Sequence, residues 1–87
     1  MIIIYSENFK CKVEQLSVEV RKQLKSKLQI MIENPRHPSL RTKKLKGRSN
    51  NIFEASINMD IRITWEYIEG GVLLRNIGEH DETLKNP

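Results

Sequence analysis

The side chains whose types suit a shared chemistry in this sequence are basic or imidazole groups, and they lie from residue 37 onward. They are His37, Lys43, Lys44, Lys46, Arg62, Arg75 and His80. Cleaving RNA without a metal needs a base for the 2′-hydroxyl, an acid for the departing 5′-oxygen and cations for the charge of the transition state. Histidine transfers protons near neutral pH, and arginine holds a phosphate with two donors. The set therefore suits chemistry on a phosphodiester.

Each candidate also has a simpler structural interpretation. Arg62 lies in the middle of a predicted strand, where alternation alone would point it to solvent. Arg75 could form an ion pair with Glu54 or Asp60 across the sheet, and His80 could be an ordinary surface histidine. His37, between an arginine and a proline, is typical of a loop. Composition alone does not choose between these interpretations.

Several other classes of site are absent from the sequence. One cysteine and two histidines offer no zinc-finger spacing, and no glycine-rich loop matches a phosphate- or dinucleotide-binding pattern. There is no GxSxG element, and the acidic residues are scattered along the chain. We therefore expect no metal, no cofactor and no serine hydrolase chemistry.

The positive charge is distributed unevenly along the chain. Between Asn34 and Phe53 there are six basic residues and no acidic one: Arg36, Arg41, Lys43, Lys44, Lys46 and Arg48. The rest of the chain has a net charge of −2, within a total of +4. This basic segment predicts a surface for an anionic partner, and the alternative is a solvated loop that aids solubility.

The first half of the chain predicts a strand followed by two helices. Ile2–Tyr5 is β-branched or aromatic, as in a strand, and the apolar residues that follow recur at helical spacing. Their stripes are Phe9, Val13 and Leu16, then Val20, Leu24, Leu28 and either Met31 or Ile32. Ser17 can cap the second helix, and Asn34-Pro35 ends it.

The second half predicts three strands, Ile52–Ile57, Ile61–Ile68 and Val72–Ile77, separated by short turns. Trp65 shares the strand parity of Ile61 and Ile63, which predicts a core position. The predicted fold is a single α+β domain over residues 1–87, with an N-terminal strand and a helical hairpin packed on a small antiparallel sheet.

Length and apolar content limit where the protein works. The longest fully apolar stretch, Met1–Tyr5, is far shorter than the ~20 residues of a membrane span. The single cysteine, Cys11, excludes an internal disulfide, and no signal-peptide pattern is visible. We expect a cytoplasmic domain without a membrane partner.

The order of these segments resembles the RelE/ParE superfamily of toxin–antitoxin toxins over nearly the whole chain, from about Tyr5 to Leu84. The matching segments are Glu33-Asn34-Pro35, Lys43-Lys44-Leu45-Lys46-Gly47, Asp60-Ile61-Arg62 and Leu74-Arg75-Asn76-Ile77-Gly78-Glu79-His80. The resemblance implies an endoribonuclease that cuts mRNA in the ribosomal A site, inhibits translation and is silenced by a cognate antitoxin in a hetero-oligomeric complex. Alternatives within the superfamily are a non-catalytic poison of DNA gyrase and a decayed toxin that only binds its antitoxin.

The resemblance also implies roles for single residues. Arg62 matches an arginine that stabilises the transition state, and His80 falls where members have a general acid. Arg75 is a further candidate catalytic cation. The basic positions matching those that contact RNA or the ribosome are Lys44 and Lys46, to which we add Arg41, Lys43 and Arg48. RelE itself has two catalytic lysines where this chain has Glu54 and Ser56, so the general base stays open between Glu54 and a lysine of the basic segment.

Overall fold

The computed structural model describes residues 1–46 and 51–87. Arg48, one of the predicted RNA-binding residues, lies outside this part of the chain. The described elements are β1 (Ile2–Tyr5), α1 (Glu7–Glu14), α2 (Val18–Glu33), a 3₁₀ turn (Pro38–Leu40), β2 (Lys43–Lys44), β3 (Ile52–Ser56), β4 (Ile61–Ile68), β5 (Gly71–Glu79) and α3 (His80–Lys85).

Within the described residues the strands form one five-stranded sheet in the order β1-β5-β4-β3-β2. The neighbours from β2 to β5 pair antiparallel, which confirms the predicted meander. β1 pairs parallel with β5, so it forms one edge of the sheet. Two elements were not predicted. They are the two-residue strand β2, which forms the other edge, and the short helix α3.

The two long helices begin at serine caps. The side chain of Ser6 accepts a hydrogen bond from the amide of Phe9, and that of Ser17 accepts one from Val20. Each cap satisfies a backbone donor that the helix leaves unpaired. Of the two residues left open for the stripe of α2, Met31 is buried and Ile32 is exposed.

Apolar side chains of α1 and α2 cover one face of the sheet. The core joins Phe9, Leu24 and Leu28 from the helices to Ile63 and Leu74 from the strands. Trp65 has no exposed surface, which confirms its predicted place in the core. This face of the sheet holds the fold together and leaves the opposite face for other side chains.

The opposite face of the sheet is polar, and α3 and the residues after it lie on it. It carries a set of buried polar side chains: Glu54, Ser56, Thr64 and Asn76, joined by Thr83 from α3. Asn76 donates to the carbonyl of Asn86, and Thr64 donates to that of Pro87. Buried polar groups are costly unless they are paired, so these bonds fix the position of α3.

Gly71 is a position of close approach between β5 and β1. A Cβ at Gly71 would lie 1.8 Å from the backbone oxygen of Ile2, an atom that cannot move without parting the two strands. We expect Gly71→Ala to lower the free energy of unfolding by about 1–3 kcal/mol, the usual range for overpacking. Urea unfolding followed by the fluorescence of Trp65, the only tryptophan in the sequence, measures the change.

Gly78 in the same strand provides the matched control. A Cβ there would meet the carboxylate of Glu82 at 3.1 Å, and that flexible side chain can turn away. Gly78→Ala should therefore cost less than Gly71→Ala. Equal losses for the two variants would contradict the assignment of Gly71 as the close contact.

Candidate functional site

The candidate site lies on the polar face of the sheet, where strand alternation brings side chains from three strands together. Glu54 of β3 is opposite Thr64 of β4, which in turn is opposite Asn76 of β5. Two residues beyond Glu54 in β3, Ser56 is opposite Arg62 of β4. Because opposite residues of paired strands project to the same side, these groups share one surface.

The central contact of the site joins Glu54 to His80. Glu54 is only 3% exposed, whereas the His80 side chain keeps 41% of its surface. Glu54 Oε2 lies 3.2 Å from His80 Nδ1, although the two atoms are not aligned as a hydrogen bond and have no other partner among the described residues. Glu54 Oε1 lies 3.8 Å from the Nζ of Lys43. A buried carboxylate thus lies between an imidazole and an ammonium group.

Two contacts and the small size of Gly78 place His80 over Glu54. His80 is the first residue of α3, and its carbonyl accepts a bond from the hydroxyl of buried Thr83. The Nζ of Lys12 in α1 forms an ion pair with the Oε1 of Glu82 in α3, at a distance of 3.0 Å. Gly78 has no side chain to keep Glu82 away. His80 directly follows the end of β5 and begins a helix that returns over the sheet.

Among the clefts lined by the described residues, Arg62 and His80 line two different ones, which meet at Met59. The Nη1 of Arg62 donates to the carbonyl of Asn58 at 2.6 Å, within the turn between β3 and β4. Arg62 lines a cleft of about 430 Å³ together with the cations of Lys27 and Arg41. His80 lines a neighbouring depression with acidic side chains, which are Asp60, Glu79 and Asp81. Strand alternation predicted that Arg62 would be exposed to solvent. It is only partly exposed, because its guanidinium bonds to the turn.

Arg75 lies on the site side of the sheet but is already engaged. The pairing of β4 with β5 shifts after Thr64, and this leaves Arg75 without an opposite residue. Its Nη1 lies 2.8 Å from Glu66 Oε1, and its Nε donates to the carbonyl of Pro87. The interpretation that Arg75 forms an ion pair with Glu54 or Asp60 is therefore wrong. The bulge turns its side chain towards Glu66 instead.

The described part of the basic segment follows the edge of the sheet. Lys43 and Lys44 form β2, and both are exposed, as are Arg41 and Lys46. His37 is a loop residue, as its sequence surroundings indicated: its Nδ1 accepts from the amide of Ser39 and so caps the 3₁₀ turn. The segment therefore presents its charges to solvent, close to the Glu54 contact through Lys43.

Sequence reasoning did not find the buried members of the site. Glu54 was considered only as a guess for a base, and Thr64 and Asn76 were not considered. A usable signal was present in the parity of the strands, since Glu54 and Ser56 alternate with apolar residues in β3, as do Arg62 and Thr64 in β4. Two polar residues spaced by two on adjacent strands indicate a polar face.

Two further properties bear on the kind of site. Among the described residues, no group of three or more His, Cys, Asp or Glu side chains is arranged to hold a metal ion. No helix in the same residues is long and apolar enough to cross a membrane.

Comparison with known proteins identifies the fold. Neither a protein-family model nor a curated protein sequence matches the chain. Among solved structures, YafQ from E. coli strain BL21(DE3) superposes with a TM-score of 0.75 at 17% identity, covering 94% of this chain and 96% of that one. A YoeB/ParE toxin from Agrobacterium tumefaciens gives 0.78 at 11% identity, covering 92% and 99%.

The intact E. coli RelBE toxin–antitoxin complex gives a TM-score of 0.71 at 23% identity, covering 90% of this chain and 94% of that one. The chain therefore has the α+β fold of the RelE, YafQ and YoeB toxins. The predicted resemblance to the RelE/ParE superfamily is confirmed at the level of the fold.

Proposed function

We propose that this chain is the toxin of a type II toxin–antitoxin module and that it cleaves mRNA on the ribosome, in the cytoplasm. The observation that carries the proposal is the contact between buried Glu54 and partly exposed His80 on the polar sheet face. The shared fold supports the toxin class, and the pair supports a catalytic rather than a purely binding role. A carboxylate that can orient an accessible imidazole is one arrangement that supports acid–base catalysis.

The chemistry assigned to this site is a transesterification, in which the phosphoryl group moves from the 5′-oxygen of one nucleotide to the 2′-oxygen of the nucleotide before it. The 2′-hydroxyl loses its proton to solvent water as its oxygen attacks the phosphorus, the bond to the 5′-oxygen breaks, and a 2′,3′-cyclic phosphate and a 5′-hydroxyl result. With Nδ1 turned to Glu54, His80 presents Nε2 to solvent as the donor of the proton that the 5′-oxygen takes up. Glu54 is a positioning residue, since a small rotation of the imidazole converts their 3.2 Å contact into a charge-assisted hydrogen bond.

We assign the positive charge for the transition state to Arg62, whose cleft adjoins the depression of His80 at Met59. Its guanidinium is held by backbone carbonyls of the adjacent turn, Asn58 and Ile61. These bonds leave other N–H groups for a phosphate, since a guanidinium has five donors. The nearby cations of Lys27 and Arg41 add to the attraction for the RNA backbone. Arg75, which bonds to Glu66 and Pro87, supports the sheet face on which the site is built.

The antitoxin partner fits an apolar groove on the other side of the molecule. The groove lies between β1, α1 and α2, has a volume of about 710 Å³ and is lined by apolar side chains that include Tyr5, Phe9, Leu28 and Ile32. Lys10, Arg21 and Lys25 also line it, beside the single acid Glu14. We assign it to an amphipathic antitoxin segment with acidic residues beside its apolar face.

Induced expression of the chain alone tests the proposed function. We expect growth arrest in which amino-acid incorporation falls before thymidine incorporation, because translation loses its templates first. Mapping of mRNA 5′ ends should show new ends inside reading frames, and these ends should carry hydroxyl groups.

The alternatives give different outcomes in the same experiment. Early replication arrest with a DNA-damage response, and no new mRNA ends, would contradict the proposal and favour a gyrase poison. Normal growth at a verified level of soluble protein would also contradict it and would indicate a decayed toxin. Co-expression with a protein encoded in an adjacent reading frame should restore growth if that protein is the antitoxin.

A further inference from the structure

A second pocket lies at the β2 edge of the sheet, and its lining combines aromatic rings with cations. It has a volume of about 290 Å³. Small-molecule sites range over roughly 300–1,000 Å³, so this pocket has the size for one ring system rather than a protein segment. The rings are those of Phe53 and Tyr67, and the basic residues of the lining are Arg36, Arg41, Lys43 and Lys44.

The aromatic wall of the pocket is supported from within the core. Tyr67 packs edge-on against Phe53, with ring centroids 5.6 Å apart, and against Trp65 at 4.9 Å. Phe53 stacks on Trp65 at 4.9 Å. Tyr67 nevertheless keeps 45% of its surface exposed. An exposed ring fixed on a buried aromatic cluster offers a stacking platform with little conformational freedom left to lose.

Among the described residues, the cations around the pocket other than Lys43 have no acidic partner. In the described part of the chain, Arg36, Arg41 and Lys44 form no ion pair, whereas Lys43 reaches Glu54. Arg41 has a positive φ of 48°, a conformation that non-glycine residues adopt rarely and that here ends the 3₁₀ turn. Its side chain lines both this pocket and the cleft of Arg62. An anionic ligand is therefore the favoured occupant, with room to continue towards Arg62.

The strand β2 connects this pocket with the Glu54–His80 contact. Lys43 is in register with Glu54, and Lys44 is in register with Phe53. Because neighbouring residues of a strand project to opposite faces, the two lysines line opposite faces of one sheet edge. A single strand of RNA that crosses this edge would meet Lys44 on the pocket face and Lys43 on the face of Glu54.

We propose that the pocket binds one unpaired nucleotide of the substrate RNA, with its base stacked on Tyr67 and its phosphate near Arg36, Arg41 and Lys44. This inference rests on the proposed ribonuclease function and adds a subsite to it. Stacking on an aromatic side chain with flanking cations is the general mode of binding single-stranded nucleic acid.

The test measures binding of a short 2′-O-methylated single-stranded oligonucleotide, which the chain cannot cleave, by fluorescence anisotropy. Tyr67→Leu removes the ring and should weaken binding by roughly 5- to 100-fold, whereas Tyr67→Phe should bind like the wild type. Ile4→Ala is the matched control, since Ile4 is similarly exposed at the opposite sheet edge and should not affect binding. The wild type should prefer the single strand to its duplex, because a paired base cannot enter the pocket.

Two measurements separate this inference from the proposed function and from a role in folding. Urea unfolding of the Tyr67 variants shows whether a loss of binding follows a loss of stability. The oligonucleotide assay needs neither ribosomes nor cleavage, so mRNA cleavage by the wild type and by Tyr67→Leu is measured separately.

Several results would overturn the inference. If Tyr67→Leu binds the oligonucleotide within about twofold of the wild type, no base enters the pocket. Equal affinity of the wild type for single strand and duplex would show the same. Unchanged oligonucleotide binding with a loss of antitoxin co-purification would assign the pocket to a protein. Unchanged oligonucleotide binding with weaker pelleting on ribosomes would assign it to ribosomal RNA. In each case the cleavage result for the wild type decides the proposed function independently.

Discussion

His80→Ala is expected to slow mRNA cleavage by roughly 10²–10⁴-fold, the usual effect of losing a proton donor. The alanine variant keeps the fold, since His80 is partly exposed and its carbonyl still accepts the bond from Thr83. Binding to ribosomes should change little, because one imidazole contributes little to long-range attraction. Single-turnover cleavage of mRNA on purified ribosomes measures the rate, and pelleting measures the binding.

Two further variants make the His80 result interpretable. Lys85→Ala, exposed on the same short helix, is the matched control and should cleave at the wild-type rate. Substituting Lys43, Lys44 and Lys46 together should instead weaken binding and reduce its salt dependence, by about 0.7–0.9 in the log–log slope for each phosphate that the variant no longer neutralises. If His80→Ala cleaves mRNA at the wild-type rate while the lysine triple variant does not cleave it, His80 is not the general acid.

Glu54→Gln is expected to reduce cleavage over a similar range, roughly 10²–10⁴-fold, although Glu54 is too buried to touch the RNA directly. Glutamine has the same size but no charge, so it cannot form the charge-assisted hydrogen bond that orients His80. The free energy of unfolding should not fall by more than about 1 kcal/mol, because a neutral group is less costly to bury than a charge.

A double-mutant cycle distinguishes positioning from an independent catalytic role. If Glu54 acts only through His80, adding Glu54→Gln to His80→Ala should cause no further loss. Glu54→Asp should recover part of the activity. The ¹⁵N shifts of the His80 ring should change in Glu54→Gln, which a merely structural role for Glu54 would not produce. Multiplicative losses in the double variant would show that Glu54 acts on the substrate by itself.

The sequence predicted the elements whose signals are local. Ser17 begins α2 and Asn34 ends it because capping and the effect of Pro35 depend only on neighbouring residues. The strand Ile61–Ile68 has the predicted bounds because the turns on both sides of it are marked by their residues. The burial of Trp65 followed from alternation.

The parts that the sequence did not predict depend on tertiary placement. α3 has six residues, too few for a helical period to be visible, and β2 has two. The contact of Glu54 with His80 requires α3 to return over the sheet, and nothing near either residue encodes that return. The pairing of Arg75 with Glu66 depends on the shift in register after Thr64.

The alternation along β3 and β4 separates two kinds of evolutionary constraint. Ala55 and Ile63 belong to the apolar core, whereas their chain neighbours Glu54 and Thr64 belong to the polar face. A lineage can therefore exchange the reactive groups of the polar face while selection on packing preserves the residues between them. The solved toxin structures that share this fold do so at only 11–23% identity. The side chains of the polar face can therefore change by substitution alone, without insertion of loops or rebuilding of the scaffold.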